Sequence, residues 1–167
     1  MKDTAELFAS VDALKARLDA HRPLPADIVS QIRQDMRIRF TYHSNAIEGN
    51  TLTMSETKAV LEDGITIGGK SLREHLEAVG HSQAIDYLEV LAQGDAALTE
   101  RTLKDFHSLI LRNIDGANAG TYRRVNVLIS GAGHIPPQAE NVPEKMEAFF
   151  RWYGAARGTL HPVEFAA

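Results

Sequence analysis

The sequence predicts a mostly α-helical fold that contains one small β-hairpin. Apolar residues recur at spacings of three and four over most of the chain, which is the period of an amphipathic helix. Two stretches begin with the Ser/Thr-x-x-Glu pattern of a helix start. Only one stretch, 120–137, combines β-branched residues at alternate positions with a glycine turn. The 167 residues show no repeat and no linker rich in Pro, Gly or Ser, so we expect no internal domain boundary marked by a linker.

The first two predicted helices occupy the N-terminal third of the chain. The first spans residues 5–20 and ends before two prolines, which lack the backbone donor that a helix needs. The second begins at Asp27, a good capping residue, and continues through the letters SNAIE. Gly49 and Asn50 end it, because both tolerate a positive φ. The expected apolar positions are Leu7, Val11, Leu14 and Leu18 on the first helix, and Ile28, Ile32, Met36, Ile38 and Phe40 on the second.

Two capping boxes predict the next two helices. Thr53 and Glu56 begin a short helix, and Ser71 and Glu74 begin a long one. In each pair, the hydroxyl and the carboxylate are spaced to accept hydrogen bonds from each other's backbone N–H groups. Glycines favour the left-handed conformation that ends a helix. The expected ends are Gly64 and Gly94.

A fifth helix precedes the predicted hairpin. Thr99 caps this helix, and its apolar positions continue to Ile114. The pattern then changes, with Val125, Val127 and Ile129 at alternate positions and two glycines shortly after them. We expect a small hairpin that ends at a Pro-Pro pair.

Two more helices are expected after the hairpin. Pro143 begins the first of them, and its aromatic residues at helical spacing indicate a core-facing side. His161 and Pro162 begin the last, with proline at the first helical position. A helix of about one turn is unstable without packing partners. We therefore expect a fold that is truncated at its C-terminal end. The aromatic residues are Phe149, Phe150, Trp152 and Tyr153.

Charge and cysteine content exclude several classes of function. The chain has 18 basic and 22 acidic residues, so it lacks the basic surplus with which proteins contact nucleic-acid phosphates. It has no cysteine, which excludes disulfides, thiolate metal sites and cysteine nucleophiles. No stretch resembles a signal peptide or reaches the ~20 apolar residues of a membrane span. We expect a cytoplasmic protein that binds no membrane and, through this segment, no nucleic acid.

Most familiar catalytic patterns are missing from the sequence. The seven histidines include no HExxH pattern and no pair four residues apart, so no metal site is expected. The stretch GITIGGK lacks the spacing of a phosphate-binding loop. Arg123 and Arg124 are expected to flank the hairpin in solvent.

The segment Ser44–Asn50 is the most informative part of the chain. Ser44 and Glu48 are four residues apart and share a helix face, so the hydroxyl can orient the carboxylate. The helix dipole disfavours a carboxylate at a C-terminus, and an arginine partner would offset this. On residue types alone, a solvated helix end is the preferred alternative.

Three segments of the chain resemble the Fic family. SNAIEGNTLTMSE resembles its inhibitory motif, which is Ser or Thr, three residues, Glu, then Gly or Asn. AGTYRRVNVLISGAGHIPP resembles the segment that forms its β-hairpin flap, and LHPVEFAA resembles the start of the helix that leads to its catalytic loop. The three segments follow the family's order. The resemblance implies a Fic-like helical bundle, with the inhibitory helix in residues 1–53 and the N-terminal and central part of a Fic domain in residues 54–167.

The resemblance implies a protein adenylyltransferase, which moves AMP from ATP to a Ser, Thr or Tyr hydroxyl of a target protein. In the family a loop of the form HPFxDGNGRxxR supplies the general base, the residue for Mg²⁺ and the arginines for the γ-phosphate. That loop is not in this sequence, because His161 and Pro162 are followed by VEFAA. We therefore expect no catalytic or metal-binding residue in this chain, and expect the chain alone to be inactive.

The resemblance also implies a role for individual residues. Glu48 would be the inhibitory glutamate that pairs with the second arginine of the loop, while Ser44 would steady the helix and Gly49 and Asn50 would end it. The flap would bind an extended target segment by β-augmentation, with some residues near the nucleotide; an ordinary surface hairpin is the alternative. The flap residues are Val127, Leu128, Ile129, Ser130, Gly131, Ala132, Gly133, His134 and Ile135.

Two other functions stay open at this point. The chain can be a non-catalytic module that binds a target or regulates a Fic protein, or a plain helical scaffold, although the hairpin and the ordered motifs weaken the scaffold hypothesis. The expected partners are ATP and a target protein, and the resemblance leaves a homodimer open.

Overall fold

A computed structural model describes residues 3–94 and 97–167 and shows a helical fold. Within these residues no β-strand is present, which confirms the mostly helical class. A π-helical turn, Ala59–Asp63, continues the third helix, and a 3-10 turn, Ala139–Asn141, precedes the sixth. The helices are α1 Thr4–Asp19, α2 Ala26–Ile47, α3 Met54–Lys58, α4 Leu72–Ala92, α5 Glu100–Leu111, α6 Val142–Ala156 and α7 Pro162–Ala166.

The starts of α3, α4 and α5 follow the predicted caps, and the start of α2 differs. Both capping boxes are formed, with the hydroxyls of Thr53 and Ser71 accepting from backbone N–H groups of the glutamates three residues later. Thr99 caps α5 by accepting from the backbone N–H of Thr102. The prediction for α2 was wrong by two residues, because Pro25 is its cap and Asp27 lies inside the first turn. At this position the Asp27 carboxylate still interacts favourably with the positive end of the helix dipole.

The long helix α4 is central, since it contacts α2, α5 and the π-helical turn. Its buried residues are mostly small, including Ala78, Gly80 and Ala84. A Cβ on Gly80 would lie 2.9 Å from the carbonyl oxygen of Ile110 in α5. The absence of a side chain at this position therefore lets the backbones of α4 and α5 approach closely.

A small core forms directly after the segment that the sequence singled out. Leu52 is buried against Val60 of the π-helical turn and Ala78 of α4, and Ile67 and Val79 pack around them. Burial of apolar area is the main stabilising term in folding. Leu52 therefore fixes the chain two residues after Asn50.

Several apolar residues that were predicted to face a core are exposed. On α2 only Ile38 of the five predicted positions is buried, and Thr41 is the other buried residue of this helix. The prediction was wrong here because α2 contacts α3 and α4 through the face that contains Ile38 and Thr41. The exposed apolar residues on α1 and α2 are Leu7, Val11, Leu14, Leu18, Ile28, Ile32, Met36, Phe40 and Ile47.

Two of the four aromatic residues of α6 differ from the prediction, while Phe150 and Tyr153 are half-buried. Phe149 and Trp152 are exposed, so their interpretation as core residues is wrong. The ring of Phe149 contacts that of Trp152, and the ring of Trp152 contacts that of Phe165 in α7. Tyr153 lies 5.1 Å from the ring centre of Phe165, so these rings join α6 to α7.

The predicted β-hairpin is not formed in the described residues. The segment after α5 reverses direction at a turn, in which the N–H of Ala132 donates to the carbonyl of Ile129, and no ladder joins its two arms. Two consecutive prolines remove donors from the returning arm, and a lone two-stranded hairpin is marginal in water. The reversal of chain direction in this segment was therefore predicted correctly, while the prediction that its two arms pair as strands was wrong.

No helix in residues 3–94 or 97–167 is both long enough and apolar enough to span a lipid bilayer.

Candidate functional site

The C-terminus of α2 presents the predicted inhibitory motif in a defined backbone geometry. Glu48 is the C-cap residue of α2, and the next residue, Gly49, has a φ of +92°. The N–H of Gly49 donates to the carbonyl of Ala46 over 3.1 Å, and the N–H of Asn50 donates to that of Asn45 over 2.9 Å. This pair of bonds is a Schellman motif, which glycine favours at the left-handed position.

Glu48 is exposed at this helix end, and its carboxylate forms no ion pair with any residue the structure describes. The preceding residue, Ile47, is 83% exposed. Ser44 is half-buried, and no hydrogen bond joins its hydroxyl to Glu48 in the described chain. The carboxylate therefore faces outward at the negative end of a helix dipole, an arrangement that a cation would stabilise.

Asn50 joins the end of α2 to α4. Its side-chain Nδ2 donates to the main-chain carbonyl of Glu74 and to the carboxylate of Glu77, each over 3.0 Å. Its Oδ1 accepts from the N–H of Leu52 over 3.0 Å. Asn50 thus ends the helix, as predicted, and in addition binds a second helix.

Thr51 strengthens the same junction. Its N–H and its hydroxyl donate to one carboxylate oxygen of Glu74, over 2.8 and 2.6 Å. The ammonium of Lys70 donates to the Thr51 hydroxyl over 3.0 Å and to the Thr51 carbonyl. Hydrogen bonds from Thr51 and Ser71 to the ionised carboxylate lower the pKa of Glu74 to about 2.

A second contact between α2 and α4 lies one helical turn before the motif. The hydroxyl of Thr41, which is fully buried, lies 3.2 Å from Nδ1 of His81. Burial lowers the pKa of His81 below its usual value of 6.5, because the charged ring would lose hydration. Neutral His81 is the form that suits this interface.

The predicted flap residues form an exposed loop whose two ends are held together. The guanidinium of Arg123 donates to the carbonyls of Val125 and Pro137, and Oδ1 of Asn126 accepts from the N–H of Ala139 over 2.8 Å. Leu128 at its tip is 84% exposed. Arg123 was predicted to flank the segment in solvent, and this interpretation is wrong because its side chain closes the base of the loop.

The start of this loop is fixed to α5. The N–H of Gly120 donates to Nδ1 of His107 over 3.0 Å, and Gly120 has a φ of +72°. The ammonium of Lys104 lies 4.3 Å from the ring centre of Tyr122, a cation–π contact. The loop is therefore anchored at its base and exposed at its tip.

An open groove of about 800 Å³ lies between α5 and the chain that enters the loop. Its lining is largely apolar and also includes the basic residues Lys104, Arg123 and Arg124. No local sequence pattern indicated this groove, because its walls come from segments whose separation depends on packing. The apolar lining includes Leu103, Phe106, Ile110, Tyr122, Val125 and Val142.

His161 caps α7 and contacts α1. Its Nδ1 accepts from the N–H of Val163 over 3.3 Å, and its Nε2 lies 3.2 Å from the carboxylate of Asp12. The ring of Phe8 stacks on the imidazole with a centre distance of 4.0 Å. The predicted capping role is confirmed, and the contact with α1 is an addition.

Sequence analysis missed the residues that hold the motif in place. Thr51, Lys70 and Glu77 were not singled out, and Glu74 was assigned only to a capping box. The sequence did contain one signal for these contacts, the polar pair Asn50-Thr51 directly after the glycine that ends α2. Its partners, 19 to 27 residues later in the chain, could not be identified without the fold.

The described part of the chain contains no cluster of three or more His, Asp or Glu side chains that can hold a metal ion.

Comparison with known proteins identifies the family. Residues 97–167 match the model of the Fic/DOC family. The chain is 34% identical over 161 residues to the "Protein adenylyltransferase Fic" of Nematostella vectensis, covering 94% of this chain and 37% of that protein. It is 31% identical over 172 residues to the protein of the same name in Drosophila melanogaster, covering 98% of this chain and 35% of that protein.

Solved structures agree with these sequence matches. Fic-1 (residues 134–508) from C. elegans superposes with a TM-score of 0.81 at 28% identity, covering 97% of this chain and 47% of that one. A Fic domain containing signaling protein from Bacteroides thetaiotaomicron superposes with a TM-score of 0.85 at 28% identity, covering 93% and 60%. This chain spans little more than a third of the length of the curated relatives above. By sequence and by fold, the chain belongs to the Fic/DOC family.

Proposed function

We propose that this chain is the regulatory and target-binding part of a protein adenylyltransferase, which transfers AMP from ATP to a Ser, Thr or Tyr hydroxyl of a target protein. In this proposal residues 1–53 hold the inhibitory helix, and residues 54–167 form the N-terminal and central part of the Fic domain. The pattern HPFxDGNGRxxR is not in residues 1–167, so in this proposal the chain alone is inactive. Relatives over 30% identical that are named as protein adenylyltransferases support the proposal.

The outward carboxylate of Glu48 is the observation that supports autoinhibition most strongly. The Schellman motif and the contacts of Asn50 and Thr51 fix the end of α2, so the carboxylate projects from a rigid base. A carboxylate at a helix C-terminus gains stability from a cation. An arginine that would otherwise bind the γ-phosphate of ATP is such a cation. When it pairs with Glu48, it cannot position the nucleotide.

The exposed loop from Val127 to Ile135 supports the target-binding role. Apart from the turn bond between Ala132 and Ile129, its backbone makes no strand pairing in the described residues, so the backbone and the apolar side chains are available to an extended peptide. Pairing with a peptide would supply the second strand that the loop lacks alone. Anchoring by Arg123, Asn126 and His107 keeps the base of the loop in place. The target hydroxyl would then be aligned by backbone hydrogen bonds, with little dependence on target sequence.

The proposed reaction uses ATP and a divalent cation such as Mg²⁺. Within residues 3–94 and 97–167 no cluster of three or more His, Asp or Glu side chains can hold a metal ion, so in this proposal the ligands of the cation are not among these residues. A homodimer and a cytoplasmic location belong to the same proposal. Light scattering of the purified protein and fractionation of cells test these two points.

The direct test is labelling of target proteins by the gene product that contains this chain, with its intact mass measured first. Label in the α-phosphate of ATP should pass to protein, and label in the γ-phosphate should not, because AMP is the group transferred. Protein labelling from γ-labelled ATP would indicate a kinase and would contradict the proposal.

A non-catalytic binding module is the second candidate. The apolar, well-anchored loop favours it, because the loop needs no nucleotide to bind an extended peptide. Target capture that is equal with and without ATP, together with absence of α-phosphate labelling, would favour this module over the transferase.

A further inference from the structure

The groove between α5 and the chain that enters the exposed loop combines apolar walls with positive charge. Its basic lining residues are Lys104, Arg123 and Arg124, and no Asp or Glu side chain among residues 3–94 and 97–167 lines it. The chain as a whole has a net charge of −4, so the groove differs in sign from the rest of the molecule. A groove of this kind is complementary to a ligand that has apolar groups and a negative charge.

Two of these three cations are not neutralised by a neighbouring carboxylate. Arg124 is exposed and makes no ion pair or hydrogen bond within the part of the chain that the structure describes. Arg123 donates to two main-chain carbonyls, which carry no charge to offset its own. Lys104 pairs with Glu100 over 2.6 Å and therefore contributes less. Because a guanidinium matches a carboxylate with two parallel donors, Arg124 is the group best placed to bind an acidic side chain.

The groove adjoins the loop that is proposed to pair with the target. Val125 lines the groove and is 68% exposed, and Val127, two residues later, begins the loop. About 7 Å of extended chain spans two residues, so one peptide can contact both surfaces. Backbone pairing gives affinity, whereas pockets for side chains give specificity. Selection among targets therefore needs a surface beside the loop that contacts side chains.

We propose that this groove is a docking site for the target protein and selects segments in which apolar side chains accompany an Asp or Glu residue. The apolar side chains pack between α5 and Tyr122, and the carboxylate pairs with Arg124. The same segment continues into the strand that pairs with the loop. The role in target selection rests on the proposed function, while the binding chemistry of the groove does not.

Fluorescence anisotropy on the full chain tests the groove without nucleotide. The probe is a fluorescein-labelled peptide of Leu, Phe and Glu residues. One comparison peptide has Lys in place of Glu, and another has Ser in place of Leu and Phe. The dissociation constant of the first peptide should be at least about tenfold lower than that of either other peptide, and added salt should weaken its binding. Equal binding of the Glu and Lys peptides would overturn the proposal.

Arg124→Glu and Val125→Asp test where the peptide binds. Both side chains are exposed, so the fold should tolerate the changes. Each should weaken binding of the acidic peptide by about tenfold or more. Arg17→Glu on α1 and Val90→Asp on α4, at a position that is 67% exposed, are the matched controls and should bind as the wild type does. Equal losses in a variant and its control would contradict docking in the groove.

Wild-type NMR decides if a variant does not fold. Addition of the acidic peptide should shift the amide signals of α5 and of residues 121–125, and shifts confined to other elements would overturn the proposal. Self-association that Val125→Asp abolishes, without peptide binding, would assign the groove to a second copy of the chain and would overturn it as well.

The groove and the proposed function fail separately. A chain that binds none of the peptides refutes the groove even where AMP labelling occurs, and peptide binding without labelling refutes only the proposed function. In the gene product that contains this chain, Arg124→Glu should raise the KM for a protein target and leave the KM for ATP unchanged. A raised KM for ATP would contradict target docking. Peptide binding by the chain but not by that product would also contradict it, because the product's own residues would then cover the groove.

Discussion

The side-chain amide of Asn50 donates to the main-chain carbonyl of Glu74 over 3.0 Å, and this bond ties the residue that ends α2 to the first turn of α4. The contact joins positions 24 residues apart. It sets the direction in which α2 ends and, with it, the direction of the Glu48 carboxylate. The geometry of the candidate site depends on this junction.

Asn50→Ala should destabilise the chain and loosen the Glu48 segment. The substitution removes three side-chain hydrogen bonds at a half-buried position, so we expect a loss of about 1–3 kcal/mol in the free energy of unfolding. Urea denaturation measures it. Asn118→Ala is the control, because the Asn118 amide binds the nearby Asp115 at the surface. Equal losses in both variants would contradict the anchoring role.

Gly80→Ala tests the close packing of α4 on α5. The new Cβ would lie 2.9 and 3.0 Å from the carbonyl oxygens of Ile110 and Leu109, so the helices must separate. We expect a loss of about 1–3 kcal/mol. Gly154→Ala is the matched control inside α6, where a Cβ has open space and should stabilise by about 0.5–1 kcal/mol. Thermal unfolding of both variants gives the comparison, and a stabilised Gly80→Ala would show that the contact is loose.

Glu74 should contribute to acid sensitivity at low pH. The pKa of Glu74 is lowered from 4.5 to about 2 in the folded chain, so ionisation of this carboxyl group stabilises the folded state. The stabilisation is complete above about pH 4.5 and is lost as the pH falls from there towards 2. Glu74→Gln should therefore be less stable than the wild type near neutral pH and should lose less stability over that interval. Glu144→Gln, at an exposed position of α6, should leave the wild-type pH profile unchanged.

His81 should make stability depend on pH in a higher range. Burial lowers the pKa of His81 from 6.5 in the folded chain, so the unfolded chain binds its proton more readily. The contribution of neutral His81 to stability is complete above about pH 6.5 and is lost as the pH falls below that value. His81→Gln should reduce the difference in urea midpoint between pH 7.5 and 5.5. His134→Gln, on the exposed loop, should not, and an equal reduction in both would argue against the buried interface as the cause.

Local sequence rules predicted the helix boundaries well. The hydroxyl–carboxylate pairs at Thr53 and Ser71 and the glycine at position 49 act within a few residues, so their chemistry is visible in the sequence. Position 64 behaves in the same way, with Gly64 in the left-handed conformation after the π-helical turn.

Features that depend on long-range contacts were harder to predict. The alternation at Val125, Val127 and Ile129 is typical of a strand, but a strand needs a partner, and none pairs with it in the described residues. In the same way, helical periodicity on α2 showed an apolar stripe but not which face meets α4. For the candidate site, the sequence pointed to Glu48, Gly49 and Asn50, while the bonds to Glu74 and Glu77 required the fold.

Restraint of AMP transfer by Glu48 is tested by a comparison of labelling rates. The rate of protein labelling from α-phosphate-labelled ATP is compared for the gene product that contains this chain, its Glu48→Gln variant and a Glu6→Gln control on exposed α1. Loss of a charge-assisted pair should raise labelling about tenfold or more in Glu48→Gln and leave Glu6→Gln at the wild-type rate. Equal labelling by all three proteins would contradict the inhibitory role of Glu48.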